Sequence, residues 1–207
     1  MNFNGVSPFY DASARLVFGQ QHRRAEAFFL SSIPENSRVL LVGGGTGWIL
    51  TQLLPLRCPA RVVFLEPSSR MRRRAQRRVA HLPNAATVQF VASAAQIQSA
   101  SFDILITPYV LDLFTDAQLG TDFLPPLMNA LVPGGHWLFT DFVQIPQRKQ
   151  QLLLQVMYAF FGLLCGIPAR HLPDYEAQFR GWGFRRVHSE LFFGGMIETV
   201  WLERERK

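Results

Sequence analysis

A chain of 207 residues, 48% of them hydrophobic, can bury a full core in one domain, which excludes a disordered or low-complexity polypeptide. Its two cysteines, Cys58 and Cys165, have no metal-like spacing and are compatible with a reducing compartment and a fold without disulfides. The net charge of +6 and a pI of about 10.0 leave an acidic partner open.

The first residues, MNFNGVSPFYDASARL, lack a charged region followed by an apolar core. No signal peptide is expected, and a cytoplasmic location is the default. Residues 8–33 hold Pro8-Phe9-Tyr10-Asp11 and then a helical pattern through QQHRRAEAFFLSSI. Pro34-Glu35-Asn36-Ser37 turns into a first strand, where Val39, Leu40, Leu41 and Val42 run into Gly43-Gly44-Gly45-Thr46-Gly47. A short apolar run bounded by glycines predicts a strand buried on both faces. TGWILTQLLPL then repeats apolar residues at helical spacing. A strand, a glycine turn and a helix aim backbone N–H groups and a helix N-terminus at whatever lies over the strand end. Glycine is wanted where a side chain would block a ligand or forbid the turn. The dinucleotide pattern G-x-G-x-x-G fails in both registers, because it meets Trp48 in one and Thr46 in the other. The pattern present is G-x-G-x-G, at Gly43, Gly45 and Gly47.

Val62 to Leu65 forms a second buried strand with Glu66 at its carboxyl end, about 20 residues after Gly47. At that distance an acid meets ribose hydroxyls in a βαβ nucleoside site, and one carboxylate accepts from both hydroxyls. In the next helix, SSRMRRRAQRRVAH, Arg70, Arg72, Arg73, Arg74, Arg77 and Arg78 crowd together. A solvated outer face is favoured over a nucleic-acid or anionic-lipid site, and no interleaved aromatic provides a stacking platform. Thr87 to Val91 is a third strand, followed by a polar turn with Ser93 and Ala94. Phe102 to Thr107 is a fourth, with Thr107, Pro108 and Tyr109 at its carboxyl end and Asp112-Leu113 opening a short helix. Pro133-Gly134-Gly135 turns into a fifth strand, His136 to Thr140, ended by Asp141.

Segment 142–180 contains 16 uncharged residues from Gln151 to Gly166, ten of them Leu, Val, Met, Tyr or Phe. That is shorter than the roughly 20 residues of a membrane span, so a buried or lid helix is expected. Tyr158, Arg170, His171 and Asp174 are available there to orient a substrate. The tail FRRVHSELFFGGMIETVWLERE predicts two strands joined at Gly194-Gly195. Strands alternating with helices predict a doubly wound, mostly parallel α/β sheet with its ligand outside the carboxyl ends, near strand one.

These motifs resemble those of the class I S-adenosylmethionine (SAM) dependent methyltransferases. The first family motif, V-L-D-x-G-x-G-T-G, falls on Val39 to Gly47 and the second on Glu66. The F-D-x-V-x segment falls on Phe102-Asp103, and the run before the fifth strand ends in Pro133-Gly134-Gly135. The resemblance spans about residue 36 to the end. It implies one domain over 1–207 with the Rossmann-like methyltransferase fold, a seven-stranded sheet closed by an antiparallel hairpin. Residues 1–36 would be cap helices, 37–141 the cofactor-binding half, 142–180 a helical lid insert and 181–207 the closing hairpin. It implies SAM as cofactor, held by Gly43, Gly44, Gly45, Gly47, Glu66, Pro67, Ser93, Ala94 and Thr107. Tyr10 of the cap would stack near the sulfonium, since a cation is attracted to an aromatic face.

Two positions depart from the family. Ser93 stands where many relatives carry an acid facing the adenine amino group, and Leu41 stands where relatives carry an acid that helps hold the methionine end. The implied reaction is methyl transfer by in-line displacement to a small, partly apolar acceptor, for which alignment and water exclusion do most of the work. A base is needed only if the acceptor carries a poorly acidic proton; His171, Asp141 and Tyr109 are the candidates. No metal is expected, because G-x-S-x-G, H-E-x-x-H and a paired Cys/His set are all lacking. A small-molecule acceptor is expected, nucleic acid is not favoured, no membrane span is expected, and the oligomeric state stays open. Leu41 keeps alive a non-catalytic SAM-binding or partner-binding protein of the same fold. A related nucleoside ligand, such as decarboxylated SAM, is a third reading.

Overall fold

Four branched side chains in a row leave a strand with nothing to offer water, and β1 (Arg38–Val42) is buried from Val39 to Val42. In the computed structural model, which describes residues 18–144 and 171–205, β1 lies inside a seven-stranded sheet. It pairs in parallel with β2 (Arg61–Leu65) on one side and β4 (Phe102–Pro108) on the other. β3 (Val88–Val91) continues the sheet beyond β2, and β5 (Leu131–Phe142) continues it beyond β4, both in parallel. β7 (Ile197–Arg204) then runs antiparallel between β5 and β6 (Phe184–Phe192). The order is β3-β2-β1-β4-β5-β7-β6. Its direction of growth reverses between β1 and β4, the switch point where ligands bind open α/β sheets.

Alternation along β1 feeds two core layers. Val39 and Leu41 face Ile49, Leu50, Leu53 and Leu54 of α2 (Trp48–Arg57) and Ala75 and Val79 of α3 (Ser69–Val79). Helix α1 (Gln21–Ala27) stands ahead of β1 in the chain, and α4 (Asp116–Gln118) follows β4. Leu40 and Val42 belong to the other layer, with Leu124, Leu127 and Met128 of α5 (Leu124–Ala130) and Phe179 of α6 (Tyr175–Gly181). Each fully buried aliphatic side chain contributes about 1.5–3 kcal/mol, so helices on both faces are what make so apolar a strand stable. In α3, Met71, Ala75 and Val79 recur every fourth residue and are buried, while Arg73, Arg74 and Arg77 are exposed.

Several local expectations change. β5 starts at Leu131, upstream of Pro133-Gly134-Gly135, because the pairing jumps from Phe102↔Leu131 to Ile104↔His136. Residues 132–135 bulge out, with Gly134 at φ 73°, so the glycines shape a bulge and do not precede the strand. At its other end β5 runs one residue past Asp141, which pairs with Glu198, to Phe142. Thr87 closes a 3₁₀ turn, and β3 begins at Val88. Gly194 and Gly195 sit in a 3₁₀ turn, Phe193–Gly195, that links β6 and β7. Tyr10, Tyr158, Arg170, Cys165 and the apolar run 151–166 lie outside the described residues. Within the remainder of segment 142–180, α6 is a core helix whose Phe179 ring lies 5.3 Å from Trp137 and 5.1 Å from Phe139. Among the described residues, no helix is long and apolar enough to cross a membrane.

Candidate cofactor and active site

The glycine turn meets the end of β2 at the switch point. Gly43, Gly45 and Gly47 take φ of 74°, 55° and 79°, a region L side chains avoid. A Cβ on Gly43 would lie 2.9 Å from Val110, and one on Gly47 would lie 2.6 Å from Ala75. Gly44 has no positive φ; its glycine is required by packing, since a Cβ would come 2.3 Å from Leu41 Cδ2 and 2.4 Å from Phe64 Cε2. Of the four, Gly45 alone has room for an added Cβ, whose nearest atom would be Met71 Sδ at an ordinary contact distance of 3.9 Å. A bare backbone position with room beside it is what a nucleoside needs to approach. Trp48 does not fill that space: its ring packs on the α2/α3 core layer with the Arg23 guanidinium 5.1 Å from its centroid.

Glu66 joins the turn directly. Its Oε2 accepts the Gly45 N–H at 3.2 Å, and its Oε1 accepts the Ser68 N–H at 2.9 Å. The carboxylate is 5% exposed, which holds its pKa above the ordinary carboxylate range. The two N–H bonds and the nearby Arg72 charge oppose that rise. Each oxygen makes one of these bonds and keeps further lone-pair capacity, so the carboxylate can still receive two ribose hydroxyls. SAM therefore fits this chain's residues at the nucleoside end. At the methionine end, Leu41 is fully buried and underlies Gly44, so it offers nothing polar.

The other candidates divide by contact. Pro67 is exposed beside Glu66. Ser93 is exposed and caps the turn Ala94–Gln96, its Oγ accepting the Ala95 N–H at 3.3 Å, and Ala94 is half-buried. The Thr107 hydroxyl faces the core instead, accepting the Trp137 indole N–H at 2.8 Å. The Tyr109 hydroxyl donates to the His22 carbonyl at 2.9 Å, tying α1 to the carboxyl end of β4. His171 is exposed, with Nδ1 3.4 Å from the Leu172 carbonyl.

Asp141 is fully buried and accepts three N–H groups, from Leu111 at 3.0 Å, Asp112 at 3.3 Å and Phe142 at 2.9 Å. It thereby holds the 3₁₀ turn Leu111–Leu113 against β5. Burial, and the neighbouring Asp112 charge, raise its pKa; burial pushes Asp112 up to about 7. Around this turn, aromatic rings gather at the same sheet end. Phe142 lies 5.2 Å from Phe18 and 5.3 Å from Tyr109, and Phe18 lies 5.1 Å from Phe193. Sequence reasoning missed Ser68, whose N–H comes from the helix cap, and Val110, the wall against Gly43. It also missed that Arg72 leaves the arginine face. No spacing rule marks these positions; a polar residue just ahead of an arginine-rich helix was the one available hint.

A sheet of this order, with a glycine turn and a carboxylate meeting at its switch point, defines the class I SAM-dependent methyltransferase fold. Residues 39–135, just under half of the chain, match the family described as "Methyltransferase domain". No curated protein sequence matches significantly. Among solved structures, the chain is similar to the cyclopropane synthase MmaA2 of Mycobacterium tuberculosis, with TM-score 0.68 and 13% identity over 87% of this chain and 83% of that one. It is similar to the N-methyltransferase NodS of Bradyrhizobium japonicum in complex with S-adenosyl-L-homocysteine (SAH), with TM-score 0.64 and 17% identity over 88% and 86%. It is also similar to the Burkholderia thailandensis 1,6-didemethyltoxoflavin-N1-methyltransferase, which holds its acceptor and SAH, with TM-score 0.68 and 20% identity over 99% and 86%. At such identities these likenesses carry the fold.

Proposed function

We propose that the chain transfers the SAM methyl group by in-line displacement to a small acceptor of partly apolar character. The observation that carries this is the contact between Glu66 and Gly45 at the switch point. When bound, SAM supplies a methyl group activated by its sulfonium. The chain's own part is to receive the ribose hydroxyls on Glu66, to leave Gly45 bare beneath the nucleoside, and to meet the adenine from the Ser93-Ala94 turn. The ring cluster of Phe18, Tyr109, Phe142 and Phe193 supports an apolar acceptor side, because rings there exclude water and align a flat or aliphatic partner. The Burkholderia neighbour binds an acceptor of small-molecule size, which agrees. Asp141 serves as scaffold in this proposal, since three N–H groups already occupy its carboxylate. An acceptor with a readily lost proton then needs no protein base.

Labelled SAM is offered with a panel of lipophilic small molecules, and with RNA as a comparison. Label on a small molecule supports the reading, and label on RNA alone overturns the acceptor class. Silence across the panel with SAH still bound favours a SAM-binding protein without turnover, a reading that buried Leu41 in place of an acid keeps open.

A further inference from the structure

The arginine run of α3 splits in two. Arg73, Arg74 and Arg77 are exposed, whereas Arg72 is partly buried and folds back over the loop ahead of its own helix. Its Nη1 donates to the Glu66 carbonyl at 2.6 Å and to the Pro67 carbonyl at 3.0 Å. A cation in the first turn of a helix opposes the helix dipole, so this arrangement needs compensation from its surroundings. The two carbonyls and the Glu66 carboxylate provide it. We infer that Arg72 is a positioning residue for the cofactor, clamping the Glu66–Ser68 loop so that the Glu66 carboxylate faces the glycine turn. This rests on the reading that Glu66 receives the ribose.

Three held points define the loop. Arg72 fixes the two carbonyls, Ser68 fixes Oε1, and Gly45 fixes Oε2. Without the guanidinium, both carbonyls turn to water and the loop loses a cation that, beside the Ser68 and Gly45 N–H groups, favours the ionised carboxylate. Arg72 is the charged group acting on Glu66 among the described residues; the contacts from the glycine turn and from Ser68 are uncharged N–H groups. The ribose hydroxyls donate to the ionised carboxylate, so binding weakens as pH falls through the Glu66 midpoint. Removing the cation moves that midpoint to higher pH.

The test uses Arg72→Ala and Arg72→Lys, with Arg73→Ala as an exposed neighbour. The Glu66 carboxyl is titrated by carbon-detected NMR without cofactor, and SAH binding is measured by calorimetry between pH 5 and 9. Arg72→Ala is expected to move the Glu66 midpoint upward and to weaken SAH about tenfold at neutral pH, the scale of one charge-assisted hydrogen bond. Arg72→Lys returns the midpoint toward wild type by restoring the charge, and Arg73→Ala changes neither. If Arg72→Ala fails to fold, Arg72→Lys alone must weaken SAH while leaving the midpoint near wild type. Normal wild-type binding with an unmoved midpoint and unchanged affinity in the Arg72 variants overturns the clamp alone. Absence of SAH binding by wild type overturns the cofactor reading, and the clamp's role toward it falls as well.

Discussion

Two adjacent glycines carry different demands, and exchanging each for alanine separates packing from binding. In Gly44→Ala, the new methyl would lie 2.3 Å from Leu41 Cδ2 and 2.4 Å from Phe64 Cε2. Carbon atoms prefer about 3.5–4.0 Å, so one side chain must shift by more than roughly 1 Å. Leu41 and Phe64 are both fully buried and have nowhere to go without opening the β1–β2 core. Overpacking of this kind costs about 2–3 kcal/mol, which in a chain of this size lowers Tm by about 5–10 °C. In Gly45→Ala, the methyl meets nothing within 3.9 Å, and the penalty is the positive φ of 55°. That strain is about 1–2 kcal/mol, so Tm falls by roughly 2–8 °C. SAH binding shows the opposite ranking. The Gly45 methyl occupies the open face and weakens SAH by roughly tenfold or more beyond any stability effect. The assays are thermal unfolding by circular dichroism and calorimetric SAH titration at a temperature where both variants are folded. Wild-type SAH affinity in Gly45→Ala would refute the assignment of that face, and wild-type Tm in Gly44→Ala would refute the packing account.

The buried acidic pair predicts a pH dependence of stability. Asp112 and Asp141 hold their protons more tightly folded than unfolded, so their contribution is complete below about pH 4, the unfolded range, and is lost as pH rises through the folded values, about 7 for Asp112. Denaturant midpoints should therefore fall between pH 4 and 7, and Asp141→Asn should flatten the slope by removing one of the two buried titrating groups; equal midpoints across that window in wild type would contradict it. Arg38 and Asp103 form an ion pair at 2.6 Å at the other end of β1, with side chains 45% and 37% exposed. Arg38→Ala should cost no more than about 1 kcal/mol in urea unfolding, vanish as a difference in 1 M salt, and leave SAH affinity unchanged.

How far the sequence reached follows from which interactions have a period. Val39 to Val42 reads as a doubly buried strand and its glycines as a turn, because both rest on local pattern and sterics, and both are found. The same holds for Glu66, whose distance from the turn is set by one strand and one helix. What stayed illegible depends on which side chains meet across the fold. Gly44 looked like its neighbours until Phe64 arrived from β2 to fill the space beneath it. Asp141 stands one residue short of the end of β5, as a strand-end acid would, yet its carboxylate is taken up by three backbone N–H groups. Thr107 pointed to the ligand by position, yet Trp137, thirty residues on, takes its hydroxyl. Arg72 was one arginine among six, since a run of like residues carries no mark of the one that folds inward.

The central claim is that Glu66, held by Gly45, receives the ribose of SAM. Calorimetric titration of SAH into wild type and Glu66→Ala tests it most directly, with NAD titrated into wild type alongside. Micromolar-range binding by wild type, weakened roughly tenfold or more in a Glu66→Ala protein that still unfolds cooperatively, is the predicted result. Equal SAH affinity in the two proteins, or binding of NAD in place of SAH, would contradict it.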